Sequence, residues 1–372
     1  MVRRILVVSP YFYPEGGGLE RYAFWVSRML AEGYSVHVLC MTRGEGRDER
    51  SGSVTVRRVG TNLVISNTPV SLRFVLEVAR LVKDADIVVA HTPVPFASDV
   101  ASFFAKILGI PFKVVYHTVG LEKDAGILDL IAKVYSRTLE RFTLWRADLV
   151  AVSHRVWEYL RDRGYHPAIL YPTWDLGEMD SSCEGLANKE NIVLFVGQLG
   201  EYSRFKNLGT LIKAFAIVSS RYPEWELWVV GGGDLLEEYR RLVLDMGLSG
   251  RVRFIGRVLE REKLWRIYNM SKILVVPSSS ESFGMVVPEA MIRGTPAIVS
   301  KGVGAIVLVE AWKSGAVVDR VSPEELSRVL MEFMENPKML RKMGFLSRLI
   351  VTRRMRGCDR QACFKVFGVR ER

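Results

Sequence analysis

Two glutamates, Glu281 and Glu289, stand eight residues apart in the segment SSSESFGMVVPEAM, directly after an apolar run. Because Pro288 is tolerated only in the first turn of a helix, we predict a helix start between Met285 and Val287. Glu281 then lies in the loop after a strand and Glu289 near the helix start, where open α/β sheets bind ligands. Two carboxylates beside free N–H groups suit a sugar nucleotide, which has hydroxyls and phosphates. Read singly, each has a structural alternative: a solvated loop acid, or a favourable position on the helix dipole.

Two cations, Arg204 and Lys206, lie two residues apart in the segment FVGQLGEYSRFKNL, between an apolar run and a helix start. Cations at this end of a sheet suit the diphosphate of a departing nucleotide. Ordinary surface charge is the alternative interpretation.

Three glycines, Gly16, Gly17 and Gly18, separate the first apolar run from the first amphipathic stretch. Glycine lets a ligand approach backbone N–H groups closely, which predicts a phosphate, anion or sugar contact, with a tight turn as the alternative. The pattern is not G-x-G-x-x-G, so it is no dinucleotide fingerprint. His117 follows the apolar run VVY, and His91 has the same placement; a histidine there is more often a core or loop residue than a catalytic one.

Short apolar runs alternate with amphipathic stretches in both halves of the chain. The predicted strands are 4–8, 35–41, 86–91, 112–117, 147–153, 191–197, 226–233, 251–256, 272–278 and 295–300. The predicted helices are 19–33, 71–85, 128–148, 207–223, 235–247, 260–270, 286–293 and 323–335. The alternation predicts an α/β fold with two Rossmann-like, doubly wound parallel-sheet domains facing a cleft.

The length of 372 residues exceeds one ordinary domain, and the alternation fades around 167–188. We therefore predict a first domain at 1–172, a second at 173–345, and a basic, irregular tail at 346–372. The formal net charge is +11, but residues 341–372 hold ten basic and two acidic residues. The rest of the chain is nearly neutral, so the charge does not argue for nucleic acid.

The four cysteines form no CxxC pair, which indicates a reducing compartment with mostly inert thiols and argues against a zinc ribbon. No uninterrupted apolar run is long enough to span a membrane. The expected location is cytoplasmic.

The order of these motifs resembles that of retaining glycosyltransferases of family 4. The matching segments are PEGGGLER, VVYHT, FVGQL with RFKN, VVGGGD and PSSSESFGMVVPEAM, and the resemblance covers about residues 3–335. It implies the GT-B architecture, with a nucleoside-diphosphate sugar bound mainly by the second domain. It also implies a glycan, lipid-linked or small-molecule acceptor held mostly by the first domain, retention at the anomeric carbon, and neither a metal nor a cofactor besides the donor.

For the phosphates, the resemblance implies that Lys206 holds the diphosphate. The family usually has an arginine directly after the F-V-G strand, and this chain has Gln198 there. We expect the nearby Arg204 to supply the missing charge.

For the sugar and the ribose, the resemblance implies a role for each residue of the predicted loop and helix start. Glu281 would accept hydrogen bonds from donor-sugar hydroxyls, with Phe283 beside it. Gly284 and Met285 would offer backbone N–H groups, and Glu289 would bind the ribose hydroxyls.

In the first domain, His117 would face the transferred sugar, while Gly17 and Gly18 would approach phosphate or acceptor. A nicotinamide dehydrogenase is disfavoured because the dinucleotide fingerprint is missing. A sugar-nucleotide epimerase or hydrolase and a non-catalytic sugar-nucleotide-binding protein stay as alternatives, the latter supported by Gln198.

Residues 128–145 mix basic and aromatic side chains at helical spacing. Such a helix can lie on an anionic membrane and reach a lipid-linked acceptor at its inner face. A domain-packing helix with a solvated basic face is the alternative.

Overall fold

The computed structural model describes residues 4–65, 68–120, 127–172, 189–356 and 360–369. The chain divides into two compact units: Met1–Trp174 with Gly357–Arg372 (unit 1), and Asp175–Arg356 (unit 2). Each unit has its own sheet, which is mostly parallel in unit 1 and fully parallel in unit 2, and its own buried core. The predicted linker lies largely outside the described residues, as do Cys183 and Cys358.

The described part of unit 1 contains ten strands and six helices before residue 173, and the last described helix also belongs to this unit. The strands are β1 Arg4–Val8, β2 Ser35–Thr42, β3 Arg47–Ser51, β4 Val54–Gly60, β5 Leu63–Ile65, β6 Thr68–Val70, β7 Ile87–Thr92, β8 Phe112–Tyr116, β9 Asp148–Ala151 and β10 Ala168–Ile169. The helices are α1 Gly18–Ala31, α2 Leu72–Lys83, α3 Ala97–Ile107, α4 Ile127–Arg137, α5 Leu139–Leu144 and α6 His154–Arg161.

The main sheet of unit 1 has the order β10-β9-β8-β7-β1-β2-β4-β3 and is parallel except for the edge pair β3–β4. Its central strands are buried on both faces, which explains their continuous apolar runs. Helix α1 turns Tyr22, Val26 and Leu30 towards this core at a spacing of four residues.

Unit 2 contains six strands and six helices in its described part. The strands are β11 Glu190–Val196, β12 Glu226–Val230, β13 Val252–Gly256, β14 Ser271–Val276, β15 Ala297–Ser300 and β16 Gly315–Val318. The helices are α7 Leu208–Ser219, α8 Leu236–Asp245, α9 Arg261–Met270, α10 Val286–Ile292, α11 Pro323–Glu335 and α12 Pro337–Arg356. The sheet order is β13-β12-β11-β14-β15-β16, and every pairing is parallel.

Strand order reverses between β1 and β7 in unit 1 and between β11 and β14 in unit 2. The loops that follow these four strands therefore meet at the two topological switch points, where doubly wound sheets bind ligands. The Gly16–Gly18 loop follows β1, and the segments containing Lys206 and Glu281 follow β11 and β14.

The predicted single helix over 128–148 is wrong. The structure has two helices there, α4 and α5, divided at Thr138, whose φ of −120° and ψ of −91° are not helical. The Thr138 hydroxyl donates to the Val134 carbonyl at 2.7 Å, which helps to end α4.

The prediction of an irregular tail is also wrong. Helix α12 continues to Arg356, and a further helix, α13, spans Arg360–Val366. The inward face of α12 uses small residues: the Ser347 hydroxyl donates to the Ser314 carbonyl at 2.7 Å, and a side chain at Gly344 would collide with the Gly294 carbonyl. A count of apolar residues does not detect such a face.

The last helix, α13, packs on α1 and completes the core of unit 1. Cys363, Phe364 and Phe367 are buried, and the Phe364 ring lies edge-on to Tyr34 at 5.7 Å. Residues 357–372 thus belong to unit 1 rather than to a separate tail. No helix in the described part of the chain is both long enough and apolar enough to cross a membrane.

Candidate functional site

Lys206 and Glu281 form an ion pair at the switch point of unit 2. The Lys206 Nζ atom lies 2.5 Å from the Glu281 Oε2 atom, and the two side chains are 19% and 21% exposed. Their loops are joined by backbone contacts, since the Ser279 N–H donates to the Phe205 carbonyl at 2.8 Å. The amide of Asn207 also donates to the Pro277 carbonyl at 2.9 Å. The structure therefore brings two predicted site residues together from segments 75 residues apart.

The glycines around Lys206 lie where other atoms approach their backbone too closely for a side chain. The aliphatic part of Lys206 crosses Gly197, where a Cβ would lie 2.9 Å from its Cδ atom. A side chain at Gly231 would collide with the Gly197 carbonyl, and one at Gly233 with the backbone of Leu199. The VVGGGD segment thus supports the loop that carries Gln198 and leads to Lys206.

The loop Gly302–Gly304, which lies outside the predicted site segments, holds Glu281 from the other side. The Glu281 N–H donates to the Gly302 carbonyl at 2.8 Å, and the Gly304 N–H donates to the Glu281 carbonyl at 2.9 Å. A side chain at Gly302 or Gly304 would collide with the carbonyls of Ser279 or Ser282. The available signal was the G-V-G sequence at 302–304, one residue after the end of the predicted strand 295–300.

The predicted helix start is confirmed, because α10 begins at Val286 with Met285 as its N-cap and Pro288 in its first turn. Gly284 adopts a φ of +87°, which favours glycine at the turn into the helix. The neighbouring Phe283 is buried and belongs to the wall of the loop rather than to its open side.

Glu289 is buried in the first turn of α10, with only 6% of its surface exposed. The hydroxyl of Tyr268, on α9, donates to its Oε2 atom at 2.9 Å. Tyr268 is itself fully buried, so this hydrogen bond fixes the orientation of the carboxylate. Tyr268 was not predicted, since nothing in the local sequence links it to Glu289.

Arg204 takes no part in the Lys206–Glu281 pair and is bonded to two other carboxylates. Its guanidinium makes four hydrogen bonds of 2.8–3.1 Å to the carboxylates of Glu201 and Glu238. Hydrogen bonding to Glu238 raises the pKa of Arg204 further above its ordinary value. Gln198 is exposed. A phosphate role for Arg204 therefore requires exchange of both ion pairs, and it stays a prediction.

In unit 1, His117 and His91 form a pair at the ends of neighbouring strands β8 and β7. The His91 Nδ1 and His117 Nε2 atoms are 2.9 Å apart, so one ring donates and the other accepts. Tyr22 of α1 packs edge-on against His117 at 5.0 Å. Burial lowers the pKa of His91 to about 3 and, together with His91, holds the pKa of His117 well below its usual range. Both rings are therefore neutral at neutral pH.

The glycine loop of unit 1 already holds a carboxylate. The Gly17 N–H donates to the Glu20 Oε2 atom at 2.6 Å, and burial raises the pKa of Glu20. A phosphate bound to this backbone N–H has to displace Glu20, whereas the position of Gly18 is open to solvent. The role expected for Gly16, Gly17 and Gly18 stays a prediction.

The fully buried Arg58 of β4 holds the segment that precedes these glycines. Its guanidinium donates to the carbonyls of Phe12 and Tyr13 at 2.7 and 2.6 Å and to Glu49 at 2.7 Å. This charged residue connects the loop to the sheet edge and fixes its path.

A cavity of about 210 Å³ in unit 2 lies on the side of the sheet where its strands begin, opposite the carboxyl ends that carry the candidate site. Lys189, Trp225, Lys272 and Arg341 are among its lining residues. The candidate site at the carboxyl ends is thus separate from it. Among the described residues, no group of three or more His, Cys, Asp or Glu side chains could hold a metal ion. Metal independence stays a prediction.

Two doubly wound parallel sheets with polar groups at their switch points define an α/β protein of the GT-B class, as predicted. Two family models match, one in each half: Glycosyltransferase Family 4 over residues 16–176 and Glycosyl transferases group 1 over residues 180–347. Since the two models together cover most of the chain, the chain belongs to the glycosyltransferases that they describe.

Curated relatives match over part of their length. A D-inositol 3-phosphate glycosyltransferase of Corynebacterium jeikeium is 32% identical over 167 residues, which is 43% of this chain and 39% of the relative. An uncharacterized glycosyltransferase of Haemophilus influenzae is 31% identical over 167 residues, 44% of this chain and 46% of the relative. The matched region thus spans less than half of these relatives.

Solved structures match over almost their whole length at low identity. Sucrose-phosphate synthase from Thermosynechococcus elongatus is 21% identical with a TM-score of 0.75, covering 98% of this chain and 97% of that one. Anabaena HepE in complex with UDP-glucose is 18% identical with a TM-score of 0.76, covering 99% and 100%. At these identities the likeness shows the fold alone.

Proposed function

We propose that this protein is a retaining glycosyltransferase that moves a sugar from a nucleoside-diphosphate sugar to a glycan, lipid-linked or small-molecule acceptor. The observation that carries the proposal is the Lys206–Glu281 pair at the switch point of unit 2. A cation for a diphosphate and an acceptor for sugar hydroxyls lie side by side where a doubly wound sheet binds ligands. The HepE complex with UDP-glucose, on the same fold, supports a nucleotide-sugar donor.

In the proposed reaction, the bond between the sugar and the diphosphate breaks through an oxocarbenium-like state, and negative charge builds on the departing diphosphate. Lys206 stabilises that charge as it develops. Glu281, released from Lys206 by the incoming diphosphate, accepts hydrogen bonds from the sugar. Glu289, oriented by Tyr268, binds the ribose. The acceptor hydroxyl oxygen forms a new bond to the anomeric carbon on the face from which the diphosphate leaves, and the leaving phosphate takes the hydroxyl proton. The configuration at the anomeric carbon is therefore retained.

Paired variants test these roles, using UDP and UDP-glucose as the first probes. Glu289→Gln should weaken the binding of UDP and of UDP-glucose alike, because both carry the ribose. Glu281→Gln should not weaken UDP binding, because Lys206 then has no carboxylate partner to leave, and it should lower kcat, since the contacts of Glu281 strengthen in the transition state. Calorimetry with UDP, run beside steady-state kinetics, separates the two effects. Loss of UDP affinity in Glu281→Gln alone would reverse the two assignments.

A non-catalytic sugar-nucleotide-binding protein is the second candidate, and Gln198 is the observation that favours it, because the second phosphate cation is missing there. An acceptor screen with several nucleotide sugars separates the candidates. Donor binding without transfer to any acceptor and without hydrolysis would support the binding protein. Donor turnover without an acceptor would support a hydrolase or an epimerase.

A further inference from the structure

One face of unit 1 exposes large apolar side chains on three neighbouring helices. We call it the α3–α5 face; its apolar members are 41–64% exposed and comprise Phe103, Ile107, Leu130, Ile131, Val134, Leu139, Phe142 and Trp145. Soluble monomers rarely expose large contiguous apolar patches, and a patch rimmed by charged residues marks an interaction site.

The three helices of the α3–α5 face are fixed to one another by Asp99 of α3. Its carboxylate accepts from the Tyr135 hydroxyl of α4 at 3.1 Å and from the Thr143 hydroxyl of α5 at 2.5 Å. Lys106 of α3 donates to the Thr143 carbonyl at 3.3 Å, and its ammonium lies 4.3 Å from the Phe142 ring centre. The apolar side chains are thus held on a rigid platform and are not exposed by fraying.

Exposed charge on the α3–α5 face is mostly basic. Of the three acidic residues on its helices, Glu140 is buried, and Asp99 and Asp129 are half-buried. Lys133, Arg137, Arg141 and Arg146 are all exposed. The carboxylate of Glu140 is buried and bonded to Tyr116 and Arg163, and that of Asp99 is used between the helices. On α4, Leu130, Lys133, Val134 and Arg137 follow the spacing i, i+3, i+4, i+7, so apolar and basic groups share one side.

We propose that the α3–α5 face binds an anionic lipid surface. The apolar side chains enter the boundary between the lipid headgroups and the acyl chains. The arginines and the lysine contact phosphates and carboxylates of the lipid headgroups. A protein partner of ordinary surface composition would leave this clustered positive charge unmatched, whereas an anionic bilayer offers negative charge around an apolar interior. The proposal goes beyond the transfer reaction, and lipid vesicles alone can test it.

Vesicle co-sedimentation of the full chain tests the proposal. The wild type should bind vesicles of phosphatidylcholine with about one third phosphatidylserine, bind pure phosphatidylcholine far less, and dissociate as salt rises. Arg137→Gln/Arg141→Gln should weaken binding about 25-fold, at about fivefold for each basic group. Leu130→Ser/Val134→Ser should weaken it at least about tenfold on the same vesicles.

The matched control is Arg241→Gln/Leu244→Ser on α8 of unit 2, which removes one exposed base and one side chain that is 64% exposed. It should bind vesicles as the wild type does. Binding that does not depend on lipid charge, or that is unchanged in both α3–α5 variants, would overturn the proposal. The proposal would also be overturned if the wild type did not bind vesicles but dimerised through this face. Such dimerisation would be seen as a change in sedimentation mass that the variants abolish. No nucleotide sugar is present, so either result leaves the proposed transfer reaction to its own test.

Discussion

At the scale of single residues, the ion pair between Lys206 and Glu281 determines how the candidate site of unit 2 is charged. Both side chains are mostly buried, so removing one partner leaves the other charge poorly compensated. In the proposed reaction, an incoming diphosphate would replace the Glu281 carboxylate at the Lys206 ammonium and release Glu281 for the sugar. One ion pair therefore links the binding of the two parts of the proposed donor.

Lys206→Ala should lower kcat about 100-fold, with a smaller effect on donor binding. The reason is that a single lost contact to a leaving group costs roughly 3 kcal/mol in the transition state. Steady-state kinetics with UDP-glucose, beside calorimetry with UDP, measures both. Lys213→Ala, an exposed lysine of α7, serves as the control and should behave as the wild type. Turnover of Lys206→Ala within a few-fold of the wild type would contradict the assignment.

Gln198→Arg should strengthen UDP binding about tenfold, because it adds a cation to an exposed loop position at the switch point. Arg204→Gln should change UDP affinity by less than about threefold, since its guanidinium is already bonded to Glu201 and Glu238. Calorimetry on both variants checks this pair. A large loss in Arg204→Gln would show instead that Arg204 exchanges its partners and replaces the missing cation.

The sequence predicts the site residues that local motifs carry and misses those supplied by distant segments. Glu281, Glu289 and the helix start at Val286 follow from strand, proline and spacing rules. Tyr268 reaches Glu289 from a separate helix, and Gly304 reaches Glu281 from a later loop. Neither contact has a periodic or compositional signal, because both depend on how elements pack.

At the scale of elements, the ends of β7 and β8 place two neutral histidines in contact, and this makes unit 1 sensitive to acid. An unfolded histidine titrates near pH 6.5, whereas folded His91 titrates near 3. Between these values the unfolded chain binds a proton that the folded chain does not. The contribution of each such histidine to the free energy of unfolding is therefore fully present above about pH 6.5. This contribution is lost as the pH falls, by up to about 1.4 kcal/mol per pH unit.

The Tm of unit 1 should accordingly fall as the pH is lowered from 7.5 to 5. Hydrogen exchange of β7 and β8 reports the stability of this unit at each pH. His91→Gln should flatten this dependence. A matched control is His154→Gln, a half-exposed histidine at the start of α6, which should leave the slope unchanged. An unchanged Tm across this range in the wild type would mean that the histidine pair is charged or solvated.

Among the elements, the central strands are predictable and α3 is not, for a physical reason. Strands such as β1 and β14 are continuous apolar runs buried on both faces. Helix α3 instead turns small residues, such as Ala101 and Ala105, towards the sheet and exposes Phe103 and Ile107. Its apolar pattern points outward, so a search for an inward apolar face misses it.

At the scale of the whole molecule, unit 1 is built from two segments that are separated in sequence by unit 2. Residues before 175 form its sheet, unit 2 follows, and α13 returns to cover α1. Phe364 and Phe367 are nearly or fully buried there, with Gly33 directly beneath the Phe364 ring. The core of unit 1 is therefore incomplete without α13, and this cannot be predicted from any single segment of the sequence.

Phe364→Ala/Phe367→Ala should consequently destabilise unit 1 while leaving unit 2 unchanged. Each buried phenylalanine replaced by alanine costs about 3–5 kcal/mol, a large part of the stability of an ordinary domain. Hydrogen exchange measured by mass spectrometry should show faster exchange in α1 and β1, unaltered exchange in β11 and β14, and normal UDP binding. Phe345→Ala on α12, where the ring is 58% exposed, is the control and should shift stability by less than about 0.5 kcal/mol. Equal acceleration in both units would show that they unfold as one body, and no acceleration in α1 would show that α13 adds nothing to the core of unit 1.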